Sequence, residues 1–137
     1  MHVQPYLSFN GRCEEAVKYY QAAVGAEVQM LMRNKESPEP PPPGMLPPGS
    51  ENKVLHVALR IGDTVVLASD GPCTGTSNFQ GISLALTVTT AEEADRAFAR
   101  LAAGGRVSMP LTKTFFSPRF GMLVDRFGLA WMIMVAA

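Results

Sequence analysis

The sequence predicts an α+β fold in which one βαβββ unit is used twice. Two observations carry this. Leu7-Ser8-Phe9-Asn10 precedes Glu14-Glu15-Ala16 at the head of one helical pattern, and Leu84-Ala85-Leu86-Thr87-Val88 precedes Glu92-Glu93-Ala94 at the head of another. Each helical pattern stops at glycine, Gly25 in the first and Gly104-Gly105 in the second, and three strand-like runs follow each.

The elements follow in order. Residues 3–9 read as a first strand, ended by Asn10-Gly11. Over residues 12–24, Ala16, Val17, Tyr20, Ala23 and Val24 recur at helical spacing, with Glu14, Lys18 and Gln21 on the other face. Residues 26–32 alternate as a strand. The proline density of residues 37–49 excludes helix and central strand, so this stretch is expected as a surface loop. Residues 54–61 and 64–69 predict a hairpin turning at Gly62-Asp63. The small, polar residues 71–80 link the halves. Residues 82–88 predict the next strand. Thr90-Ala91-Glu92-Glu93 then fits a capping box for a helix over 91–103. Strands over 106–111, 120–124 and 129–135 complete the unit, with Asp125 and Gly128 as turn residues.

At 137 residues the chain is expected as one domain, with module one over about 1–70, a linker at 71–80 and module two over about 81–137. Twelve acidic and twelve basic residues cancel, and no basic run supports nucleic-acid binding. No apolar run approaches membrane-spanning length. The only two cysteines, Cys13 and Cys73, make no CxxC and read as free thiols in a reducing compartment. A cytoplasmic location is the expectation. No GxGxxG, Walker A or GxSxG segment occurs, nor a glycine-rich loop for S-adenosylmethionine.

A four-stranded sheet with one helix buries one face only, so the other face of each module is expected to line a cleft or meet another chain. Strand alternation assigns residues to it. His56, Ala58 and Arg60 fall opposite the apolar set Leu55, Val57, Leu59 and Ile61. Leu67 and Ser69 point the same way. Ser83, Ala85 and Thr87 fall opposite Ile82, Leu84, Leu86 and Val88. Ala130, Met132 and Met134 fall opposite Leu129, Trp131, Ile133 and Val135. The expected ligand-binding residues are therefore His56, Leu67, Ser69, Ser83, Thr87 and Met132, with Arg119 as a clamp for an anion. Arg119 can equally be a structural arginine stacked on phenylalanine. His56 can serve as general base, metal ligand or hydrogen-bonded core histidine. No HxH, HxxxH or HxxE accompanies it, so spacing predicts no metal site, and no cofactor is expected. Cys13, at a helix N-terminus, is a site for a lowered thiol pKa.

Tyr6-Leu-Ser-Phe-Asn-Gly-Arg-Cys-Glu-Glu-Ala16, Leu55-His-Val-Ala-Leu59, Leu67-Ala-Ser-Asp70 and Phe120-Gly-Met-Leu-Val-Asp-Arg-Phe-Gly-Leu-Ala-Trp-Met-Ile133 resemble the PhnB-like proteins. These belong to the vicinal-oxygen-chelate superfamily, with glyoxalase I, extradiol dioxygenases and the fosfomycin and bleomycin resistance proteins. The resemblance spans essentially the whole chain. It implies a glyoxalase-like domain of paired modules, usually a homodimer, with clefts between modules. It also implies metal-ligand positions at about Pro5, Leu67, Ser83 and Met132, where this chain carries no usual ligand.

Three readings follow. One is a protein that binds or sequesters an unidentified small molecule. Another is a metal-independent or atypically metallated enzyme with His56 as acid/base. The third is a structural dimer whose clefts are filled by its own side chains. Binding is the leading expectation, with a homodimer and a small-molecule ligand as partners.

Overall fold

A computed structural model describes residues 1–39, 47–73 and 77–137. Its contacts divide the chain into two units, Met1–Ser77 and Asn78–Ala137. The first holds β1 (Tyr6–Ser8), α1 (Cys13–Val24), β2 (Glu27–Arg33), a 3-10 turn (Asn34–Glu36), β3 (Val54–Ile61) and β4 (Thr64–Ser69). The second holds β5 (Ser83–Val88), α2 (Ala91–Ala102), β6 (Arg106–Thr112), β7 (Phe120–Val124) and β8 (Ala130–Val135). Each unit is the predicted βαβββ, in the predicted α+β class. Most of the proline-rich stretch, residues 40–46, and linker residues 74–76 lie outside the described residues.

The two sheets share one topology. Strand order is β1-β4-β3-β2 in the first and β5-β8-β7-β6 in the second. β1 lies parallel to β4 and β5 parallel to β8, while the remaining pairs are antiparallel. A strand-helix crossover puts each first strand beside its last one, which alternation alone does not reveal.

In the first unit α1 packs on β3. Ala16, Val17, Tyr20 and Ala23 of α1 are buried, as are Leu7, Val57, Leu59, Val66 and Ala68 from alternate strand positions. Gly25 ends α1 with φ 68, as its position predicts. Two strand expectations need correction. Leu55 is exposed and Val54 is buried, because the β2–β3 register slips between Met32–His56 and Arg33–Val54. Ile82 lies just before β5 and is exposed.

In the second unit Leu129, Trp131, Ile133 and Val135 are buried as predicted. The Thr90 hydroxyl accepts from the Glu93 amide at 3.1 Å, forming the forward half of the predicted capping box. The Glu93 carboxylate accepts from the Thr89 hydroxyl at 3.1 Å. Gly121 lets the Phe98 ring of α2 approach the sheet: a Cβ there would stand 2.8 Å from that ring. Among the described residues, no helix is long and apolar enough to cross a membrane.

Candidate functional site

The helix-free face of the first sheet carries polar chemistry. Backbone pairing sets Tyr6 beside Leu67, Leu67 beside Ala58 and Ala58 beside Met30. The next row starts from the Ser8–Ser69 pair and ends in the His56–Met32 pair. His56 and Ser69 flank the Val57–Ala68 pair, whose side chains are buried on the helix side, so both fall on the other face.

Tyr6 reaches diagonally to His56. Its hydroxyl lies 3.4 Å from His56 Nδ1, and the rings are 5.8 Å apart at 37°. With the imidazole proton on Nε2, the phenol donates to Nδ1 and Nε2–H remains a donor for a ligand acceptor. With the proton on Nδ1, the phenol can donate outward and Nε2 accepts. The pair can therefore present either polarity to a bound group. Ser8 Oγ, in the same face's β1, is buried and has no hydrogen-bond partner among the described residues, whereas Ser69 Oγ accepts from the Gly71 amide at 3.2 Å.

The helix-free face of the second sheet is mostly apolar. Pairing sets Ser83 beside Ala130, Ala85 beside Met132 and Thr87 beside Met134. Met132 pairs onward with Met122, and Met122 with Met109. Ser83, Thr87 and Met132 are thus brought onto one face. Arg119 is not: its Nε donates to Asp95 of α2 at 2.5 Å, which draws the guanidinium toward the helix.

The positions that the family resemblance assigns to metal ligands do not fit a divalent ion. Pro5 contributes a carbonyl that accepts from the Leu67 amide at 2.9 Å. The side chains of Leu67, Ser83 and Met132 supply one hydroxyl and one thioether between them. No group of three or more His, Cys, Asp and Glu able to hold a metal ion occurs among the described residues.

Residues 1–134 match the protein family described as 3-demethylubiquinone-9 3-methyltransferase. The chain belongs to that family. Its PhnB-like character is supported by full-length relatives. Protein YjdN of Escherichia coli is 36% identical over 142 residues, covering 98% of this chain and 95% of that one. Protein PA1353 of Pseudomonas aeruginosa is 37% identical with TM-score 0.85, covering 99% and 98%. A putative 3-demethylubiquinone-9 3-methyltransferase, PhnB protein, from Bacillus cereus is 29% identical with TM-score 0.81, covering 99% and 100%. In fold alone, the likeness extends to the fosfomycin resistance protein FosX of Listeria monocytogenes, at 12% identity and TM-score 0.68 over 100% of this chain and 94% of that one. The PhnB-like chain thus shares its fold with that resistance protein.

Two further residues of this PhnB-like chain bear on the site. Cys13 does not have the lowered thiol pKa that its helix position suggests. It is fully buried, and burial first, then the nearby Asp70 and Glu14 carboxylates, push the thiol up to about 12. Asp70, which alternation passes over, is the buried acid responsible for local order: Oδ1 accepts from the Cys13 amide at 2.7 Å and Oδ2 from the Val54 amide at 2.6 Å. It caps α1 from a distance and anchors the start of the strand that carries His56. The Asp-Gly step after a strand was its only local signal.

Proposed function

We propose that this PhnB-like protein binds a small molecule on the helix-free faces of its sheets, without a divalent metal centre. The observation that carries this reading is the Tyr6–His56 pair, a half-exposed donor–acceptor couple on a face that α1 leaves uncovered. Leu67 and Ser69 stand beside it on the first sheet, while Ser83, Thr87 and Met132 are the corresponding binding residues of the second. Arg119 is left out of the reading because Asp95 holds its guanidinium. Methyl transfer, named in the family's description, is also left out, since the chain has no glycine-rich loop of the kind that receives S-adenosylmethionine.

A second reading makes His56 an acid/base of a metal-independent enzyme. The Tyr6 contact favours it, because a phenol against Nδ1 leaves Nε2 free to give or take a proton at a bound group. A homodimer in a reducing cytoplasm completes the proposal. Exposed Val28, Met30 and Ile82 are apolar surface for a partner copy to cover, and Cys13 and Cys73 are both free. Native mass spectrometry of protein taken from cells without added ligand tests binding and assembly together. The expected spectrum is a dimer retaining a small molecule; a monomer without adduct contradicts it.

A further inference from the structure

The eight methionines of this chain are not spread evenly. Four of them, Met109, Met122, Met132 and Met134, lie on the helix-free face of the second sheet. Three form one rank across adjacent strands: Met132 of β8 pairs with Met122 of β7, which pairs with Met109 of β6. All three are half-buried, so their thioethers are sheltered yet reachable.

From this register we infer a binding site for a soft monovalent cation, Cu(I) or its surrogate Ag(I), formed by the thioethers of Met109, Met122 and Met132. Directly opposed residues on adjacent strands hold their Cβ atoms about 4.5–5.5 Å apart. An unbranched side chain with three rotatable bonds can turn its sulfur toward a shared point from there. Thioether ligands select soft ions such as Cu(I), while Mg²⁺, Ca²⁺ and Mn²⁺ prefer oxygen. The rank ends at Ala85, and the adjoining rows add the hydroxyls of Ser83, Thr87 and Thr112 and the guanidinium of Arg106. Neither row holds a carboxylate or imidazole, so a divalent cation finds no anionic ligand there. The slip in the β6–β7 ladder on either side of Met109 is what lets the edge strand keep that methionine in line with Met122. All three thioethers belong to the second unit, so the site does not rest on Tyr6 or His56, and it shares only Met132 with the proposed small-molecule residues.

The test uses the full chain labelled with [methyl-¹³C]methionine and titrated anaerobically with Ag(I), then Cu(I). The methyl resonances of Met109, Met122 and Met132 should move together and saturate at one ion per chain, with Met30 and Met32 of the first sheet unmoved. Zn(II) should move none of them. Met122→Leu, close in volume, should weaken binding about tenfold or more and remove the shifts of Met109 and Met132. Met109→Leu on the edge strand serves if Met122→Leu does not fold. The proposal is overturned if the three resonances do not move below the concentration that titrates Cys73, if all methionines shift alike, or if a folded Leu variant binds as the parent does.

Discussion

The Asp125 carboxylate ties the Trp131 indole to the turn that precedes its own strand. Oδ2 accepts from Trp131 Nε1 at 2.9 Å, while Oδ1 accepts from the Phe127 and Leu129 amides at 2.8 and 3.1 Å. The acid is buried, and so is the indole. Burying a carboxylate is tolerated here because its oxygens meet fixed donors.

Asp125→Ala leaves these three donors without this acceptor in a buried turn. It should destabilise the chain by about 3 kcal/mol or more, since a hydrogen bond to a charged group contributes roughly 1.5–3 kcal/mol. Asp125→Asn should cost less, because one oxygen still accepts. Urea unfolding followed by the emission of Trp131, the chain's single tryptophan, measures both.

Gly105 tests a close approach of backbone to backbone. A Cβ there would stand 2.1 Å from the Val124 carbonyl oxygen and 2.8 Å from the Asp125 carbonyl carbon. Neither can move without opening the turn after β7, so Gly105→Ala should cost about 1–3 kcal/mol or more. Gly25→Ala meets no atom within 4 Å and carries only the penalty of a φ of 68, about 1 kcal/mol. Thermal melting should rank Gly105→Ala well below Gly25→Ala.

Cys13 predicts an alkaline weakness. The folded thiol keeps its proton up to about 12, while the unfolded thiol releases it near 9.0. Below the lower value both states are protonated and the stabilisation is fully present. As pH rises past it, the unfolded chain binds fewer protons than the folded one, so stability falls until the folded thiol also ionises. The slope is at most about 1.4 kcal/mol per pH unit. Denaturation midpoints on either side of pH 9 should show this slope in the parent and lose that component in Cys13→Ala. Equal slopes in the two proteins would remove Cys13 from the account.

Much of this fold is legible because strand alternation and helical spacing report burial directly. Trp131 and Ile133 fall on the helix side and Met132 on the other, as their spacing requires. What alternation cannot see is a slip in register or a long-range partner. The slip near Leu55 turns that residue outward, and Arg119 goes to Asp95 because α2 lies over its side of the sheet. For the same reason, alternation does not single out Tyr6. Its place beside His56 depends on β1 lying parallel to β4, a pairing of residues far apart in the chain.

Whether the Tyr6–His56 face binds a small molecule is decided at His56. His56 is half-exposed, and its Nδ1 faces an exposed phenol at 3.4 Å. Removing it should leave the fold's stability within about 0.5 kcal/mol. The measurement is a paired native mass spectrum and melting curve for the parent, His56→Ala and Tyr6→Phe, all isolated from cells without added ligand. The account predicts a retained small molecule in the parent, lost in His56→Ala and weakened in Tyr6→Phe, with melting temperatures nearly unchanged. A His56→Ala protein that melts several degrees lower yet keeps the same bound molecule would contradict it and make His56 a structural residue.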